Sequence, residues 1–181
     1  MSTIESPRVS VLLSADAIAA RVAALGAQLS EDYRGRDVVL VCILKGSLVF
    51  FADLLRAVTI PTRCDYLAVE SYEGTSSSGE VRFTADLRGA IEGRDVLLVE
   101  DIVDTGLTMA YLLEALSARK PSSIEVVTLL DKPSRRRTPV SLRYVGFEIP
   151  DAFVVGYGLD YEQYFRNLPF VGVLEEVPSL G

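Results

Sequence analysis

An α/β fold, a mainly parallel twisted sheet flanked by helices, is what the sequence predicts, and three observations predict it. Apolar, β-branched runs recur at strand length: DVVLVCIL at 37–44, DVLLVE at 95–100 and SIEVVTLL at 123–130. They are continuous rather than alternating, which suits strands buried on both faces of a parallel sheet. Segments with apolar residues at helical spacing lie between them, near 47–58 and 107–119. Strands that alternate with helices call for parallel crossover connections.

The elements follow in order. Residues 14–30 repeat apolar positions at helical spacing, with Ser14 as a candidate N-cap and enough Ala to pack closely on a neighbour. The strand at 37–44 ends in Lys45-Gly46-Ser47, and a helix follows. Residues 62–70 read as the next strand. Residues 71–80, SYEGTSSSGE, hold two glycines and four serines before a strand-like 81–84. That polar stretch suits a hairpin loop or a lid over a site.

The stretch 94–109, RDVLLVEDIVDTGLTM, reads as a buried strand ending in the acids Glu100 and Asp101, then a tight loop, then the first turn of a helix. Ligands of open α/β sheets bind at such strand carboxyl ends. After the strand at 123–130 come Asp131-Lys132-Pro133 and three arginines, 135–137, which read as a solvated loop. Short strands are expected at 144–147 and 153–156. The aromatic tail LDYEQYFRNLPFVGVL should pack back on the domain.

The 181 residues suit a single domain, 1–181, with one substantial core, and 49% hydrophobic with 24% charged residues is an ordinary globular composition. A net charge of −7 argues against a broad nucleic-acid surface, which needs clustered Lys and Arg. No apolar run approaches the roughly 20 residues of a membrane span. MSTIESPRVS has no basic segment followed by an apolar one, so the expected address is cytoplasmic, without nucleic-acid or membrane partners. Cys42 and Cys64 each sit in strand-like runs and are expected to be buried and reduced. There is no histidine. That removes Ser-His-Asp and Cys-His catalysis and most zinc sites. What remains is carboxylates, Lys, Arg, Tyr, hydroxyls, backbone amides and an oxygen-liganded metal.

Asp104, Thr105, Gly106, Leu107 and Thr108 offer consecutive N–H groups, two hydroxyls and one glycine at a helix start, a cradle for a phosphate monoester. The spacing is not that of a Walker A loop. Glu100 and Asp101 just before it could accept hydrogen bonds from sugar hydroxyls or help hold magnesium. An acid pair before an ordinary turn is common. The whole string of apolar strand, two acids, two apolar residues, Asp-Thr-Gly and Thr is far more specific. Lys45-Gly46 reads either as a solvated turn or as an anion contact.

VLLVEDIVDTGLT resembles the phosphoribosyl-pyrophosphate motif of the type I phosphoribosyltransferases. LKGSLVFFADL at 44–54, Ser71-Tyr72, LLDKPSRR at 129–136 and VGFEIPDAFVVGYGLDYEQYFRNLP at 145–169 are similar, in the same order, to the bacterial-type hypoxanthine(-guanine) branch of that family. The resemblance covers nearly the whole chain. It implies magnesium-dependent purine salvage: transfer of phosphoribosyl from phosphoribosyl pyrophosphate to hypoxanthine, and guanine with it, giving IMP or GMP and pyrophosphate. It also implies a small hood built from N- and C-terminal segments, and a homo-oligomer, dimer or tetramer.

The resemblance assigns roles residue by residue. Glu100 and Asp101 would bind the ribose hydroxyls and a bridging magnesium ion. The 104–108 loop would hold the 5′-phosphate, with Asp104 as the general base that takes the proton of the purine imidazole. Lys45 and Gly46 match a pyrophosphate loop that carries a non-proline cis peptide, and Arg166 matches a second pyrophosphate contact. Ser47 stands where some relatives have glycine and is expected to matter little. Lys132 would donate to the 6-oxo group, Phe153 would stack on the base, and Val154 would contact it through backbone. Asp160 matches a residue at the purine side and at a second magnesium site. Ser71 and Tyr72 begin the mobile loop, about 71–81. A xanthine-guanine transferase, or a non-catalytic nucleotide-sensing regulator on the same fold, are the alternatives.

Overall fold

The computed structural model describes residues 8–72 and 80–175. In chain order they form β1 (Val9–Leu13), α1 (Ala15–Asp32), β2 (Val38–Leu44), α2 (Leu48–Ala57), β3 (Arg63–Tyr72), β4 (Glu80–Ala85), β5 (Asp95–Val103), α3 (Leu107–Ser117), β6 (Ser123–Asp131), a single 3-10 turn (Pro133–Arg135), β7 (Tyr144–Glu148), β8 (Val154–Val155) and β9 (Val171–Leu174). Six strands make one sheet in the order β4-β3-β2-β5-β6-β7. Every neighbouring pair in it is parallel except β3 with β4.

The continuous apolar runs explain why this sheet is central. Alternate residues of β2 and β5 feed opposite faces. Leu40, Cys42, Leu97 and Val99 join α1 and α2 in one core; Val39, Val41, Val96 and Leu98 join Met109, Leu112 and Leu116 of α3 in the other. Each such side chain, fully buried, contributes about 1.5–3 kcal/mol. That is enough for the two faces to outweigh one expensive polar feature in the same strand. Helices α1 and α2 approach closely, because a β-carbon on Gly26 would lie 2.5 Å from Ala57 Cβ. On the outer edge, Arg21 of α1 donates to the Val145 and Gly146 carbonyls of β7, at 2.6 and 2.9 Å. The guanidinium so occupies acceptors that an open sheet edge would otherwise offer.

Two expectations are corrected. β5 does not end at its acids: Glu100 pairs with Thr128, Ile102 with Leu130 and Val103 with Asp131. The ladder to β6 carries the strand two residues past the acid pair, to Val103. A second sheet, β1-β9-β8, all antiparallel, is built near the two ends of the chain, from the segments that the resemblance assigned to a small hood. Cys64 is exposed while Cys42 is buried. The chain turns back from β3 as an antiparallel strand, so no helix covers Cys64, and Tyr66 two residues on is also exposed. Ser71 and Tyr72 end β3 opposite Val81 and Glu80. Of the loop expected at about 71–81, residues 73–79 lie outside the described residues.

Candidate active site

From β2 the chain runs outward to β3 on one side, and from β5 outward to β6 on the other. The loops after β2 and β5 diverge, and the crevice between them at the strand carboxyl ends is where such sheets take ligands. Its two lips are Lys45-Gly46 and Asp104–Thr108.

The floor is the acid pair. Glu100 is 9% exposed and packed beside Asp101. The Asp101 N–H donates to Glu100 Oε1 at 3.2 Å, and the Ile102 N–H to Asp101 Oδ1 at 2.7 Å. Burial, and then the charge of Asp101, push the Glu100 carboxyl well above the usual carboxylate range. Burial pushes Asp101 up too, partly opposed by a hydrogen bond to Glu100 and by the more distant charge of Arg166. Leaving a carboxylate unpaired in such a place costs several kcal/mol. A hard divalent cation with oxygen ligands fits a site of this kind, because it would offset that cost. Asp101 also leans on the opposite lip: a β-carbon on Gly46 would fall 1.7 Å from its Oδ2.

Above the acids, Gly106 turns the chain into α3 with φ of 83°, and no side chain caps the helix. A β-carbon there would lie 2.4 Å from the Thr138 carbonyl oxygen, so glycine is required both by conformation and by space. The Leu107 N–H reaches the Thr105 hydroxyl at 3.4 Å, and the other first-turn N–H groups remain available to an anion. They border a small cavity of about 110 Å³ lined by Glu100, Asp104, Thr105, Gly106 and Thr108 among others.

A larger cavity of about 360 Å³ adjoins, lined by Ile102, Asp104, Lys132, Arg135, Phe153 and Asp160 among others. Lys132 is 7% exposed, and its Nζ donates to the Ala152 carbonyl at 2.6 Å. An ammonium carries three donors, so others remain for a ligand. Phe153 is 49% exposed and stands perpendicular to Tyr161, ring centroids 5.8 Å apart, so much of its ring surface is open to a planar partner. Val154 is buried and pairs with Val173. Asp104 and Ile102 line both cavities.

The Lys45 side is held from two directions. The Leu44–Lys45 peptide is cis. Beneath it Ser47 is fully buried; its Oγ donates to the Ile43 carbonyl and lies 3.4 Å from Cys42 Sγ. Gly158, at φ of 101°, has room for no β-carbon, which would meet the Gly46 carbonyl oxygen at 2.1 Å. Arg166 Nη1 donates to the Gly158 carbonyl at 2.7 Å, and Nη2 lies 2.7 Å from Asp160 Oδ1. Asp160 Oδ2 further accepts from the Gln163 N–H. Asp160 is thus held by Arg166 and by the Gln163 backbone. Among the described residues no three acidic or cysteine side chains gather as a metal cluster.

The arginine run is not the solvated loop its composition suggests. Arg136 pairs with Asp131, with its side chain 17% exposed, and Arg135 reaches Asp104. The Arg137 and Thr138 N–H groups both donate to the Thr105 carbonyl, at 2.9 and 3.0 Å, which docks this turn on the phosphate-sized cavity. The one signal for Arg135 in the sequence is its place three residues after Lys132, one 3-10 turn along. Ile102 could have been read from its place between the acids and Asp104.

The family described as phosphoribosyl transferase domain matches residues 9–162. The hypoxanthine-guanine phosphoribosyltransferase of Mycobacterium avium is 50% identical over 173 residues, covering 92% of this chain and 85% of its own. That of Bacillus subtilis (strain 168) is 49% identical over 166 residues, covering 91% of this chain and 92% of its own. The crystal structure of a hypoxanthine phosphoribosyltransferase from Staphylococcus aureus superposes with a TM-score of 0.88 at 48% identity, covering 92% of this chain and 91% of that one.

Proposed function

The chain belongs to the phosphoribosyl transferase family, and from that membership we propose that it is a purine salvage enzyme, transferring phosphoribosyl from phosphoribosyl pyrophosphate to hypoxanthine and guanine. The products are IMP or GMP and pyrophosphate. The observation that carries the reading is the position of Asp104, a wall shared by a phosphate-sized cavity and a base-sized one.

The 5′-phosphate sits in the 104–108 cradle and the ribose hydroxyls on Glu100 and Asp101. Lys45, Gly46 and Arg166 face the pyrophosphate. The purine lies against Phe153 in the larger cavity, with Lys132 donating to its 6-oxo group; an ammonium cannot accept, so adenine is disfavoured. The bond from C1′ to pyrophosphate breaks with its electron pair leaving on pyrophosphate, and the base nitrogen bonds to C1′. The imidazole proton passes to Asp104, whose negative charge also favours the cationic sugar that develops nearby. Glu100 and Asp101 would hold magnesium, whose charge favours the departing pyrophosphate. Asp160, already paired with Arg166, would share its carboxylate with a second ion.

The β1-β9-β8 sheet, which carries Val154 beside the base cavity, supports its assignment as a hood. Exposed Leu48 of α2 and Tyr66 of β3 support a homo-oligomer, dimer or tetramer. None of the described helices is long and apolar enough to cross a membrane, in line with the cytoplasmic address proposed.

Steady-state assay with hypoxanthine, guanine, xanthine and adenine tests the proposal. Turnover confined to hypoxanthine and guanine supports it. Preference for xanthine would reassign the substrate. Tight binding of phosphoribosyl pyrophosphate with no turnover of any base would make the chain a nucleotide-sensing regulator.

A further inference from the structure

Arg135 bridges two carboxylates at the base cavity. Its Nε lies 2.9 Å from Asp104 Oδ1, and its Nη1 3.4 Å from Asp151 Oδ1. Asp104 Oδ1 is shut off from solvent with no donor aligned on it as a hydrogen bond, so the Arg135 contact is one of charge. The Asp104 side chain as a whole is nevertheless 37% exposed. With Oδ1 covered, that exposure lies elsewhere on the side chain, Oδ2 included.

The arginine is itself held in place. Its N–H donates to the Lys132 carbonyl at 3.1 Å. The turn that bears it is fastened to the Asp104 loop by two backbone hydrogen bonds into Thr105 and by Gly106 fitting under Thr138. Charge makes the contact consequential. Asp104, Asp151 and Asp160 all line this cavity, and Lys132, the other cation there, is turned onto the Ala152 carbonyl. Asp160 is already paired with Arg166, so without Arg135 the carboxylates of Asp104 and Asp151 would border the space the purine enters with no cation at salt-bridge distance among the described residues.

We propose that Arg135 is a positioning residue for Asp104: it holds the carboxylate by Oδ1 and leaves Oδ2 to take the purine proton. The inference rests on the reading of Asp104 as the base. Arg135 never touches the reacting atoms. It reduces the carboxylate's freedom to rotate, and a group held in its reactive orientation loses less on reaching the transition state.

Steady-state kinetics of Arg135→Ala, Arg135→Gln, Arg135→Lys and the double variant Arg135→Ala with Asp104→Asn test this, with thermal unfolding to verify the fold of each. Removing the charge, by Ala or by the longer Gln if Ala unfolds, should lower kcat about ten- to a hundredfold, with KM for phosphoribosyl pyrophosphate within about twofold. Lys should recover most of the loss. In the Asp104→Asn background the Arg135 change should cost nothing further, because its effect runs through that carboxylate. Wild-type kcat in folded Arg135→Ala or Arg135→Gln would overturn the inference, as would an equal loss in both backgrounds. A wild-type protein that turns over no purine would sink the enzyme reading instead.

Discussion

A β-carbon on Gly46 would lie 1.7 Å from Asp101 Oδ2, so one lip of the crevice meets its acidic floor through a glycine and a carboxylate. The atom in the way is the end of a side chain. In Gly46→Ala the cheap response is therefore rotation of Asp101 rather than a shift of backbone. The expected result is a protein with nearly unchanged unfolding temperature, whose kcat/KM for phosphoribosyl pyrophosphate is about a hundredfold lower. Unchanged kinetics would show that Asp101 does not need its place against Gly46.

Lys132 is buried with one carbonyl partner. Lys132→Met keeps the length and removes the donors. A hydrogen bond from a charged group is worth about 1.5–3 kcal/mol, about ten- to a hundredfold in kcat/KM for hypoxanthine. KM for phosphoribosyl pyrophosphate should hold. Equal losses for both substrates would place Lys132 in the framework rather than in base recognition.

Magnesium with phosphoribosyl pyrophosphate should stabilise the protein, by about 2.7 kcal/mol at a hundred times the dissociation constant. The shift in unfolding temperature should shrink in Glu100→Gln and in Asp101→Asn, and vanish with a chelator. Calorimetric titration gives the same comparison without turnover. Shifts that survive both substitutions would put the cation elsewhere.

Among the described residues three tyrosines are held above their ordinary value of 10, by burial first in each. Tyr144 also donates to Asp32 at 2.6 Å and Tyr157 to Asp53 at 2.5 Å. Above pH 10 the unfolded chain gives up these protons while the folded chain keeps them, so the folded state binds more protons and stability falls as pH rises. Unfolding temperature should therefore decline through this alkaline range. Phenolate absorbance should show three tyrosines ionising only as the fold is lost. Eight tyrosines titrating together in the folded protein would contradict this.

Several of these features were legible in the sequence and others were not, for physical reasons. β2, β5 and β6 announce themselves because burial on both faces demands unbroken apolar runs. Asp104 to Thr108 is legible because an anion cradle needs small residues and hydroxyls at a helix start. The acid pair misleads: charged residues look like the end of a buried strand, yet Glu100 keeps its place in the ladder. β1 and β9 are invisible locally, since each is short and its partner lies at the other end of the chain. Exposure of Cys64 follows from which strand lacks a covering helix, a property of topology. Ser47 looked dispensable and is wholly buried under the Lys45 loop, and the cis Leu44–Lys45 bond came from the resemblance alone, since neither residue type signals it. Arg135 reads as one of three surface arginines until the turn brings it to Asp104.

The central claim is that Asp104, between the two cavities, takes the purine proton. Single-turnover formation of IMP by Asp104→Asn, with saturating phosphoribosyl pyrophosphate, tests it most directly. Asparagine keeps the shape and cannot accept the proton as a carboxylate does. The account expects the rate to fall about 10²- to 10⁴-fold, with binding of phosphoribosyl pyrophosphate retained. A rate near that of the wild type would contradict it.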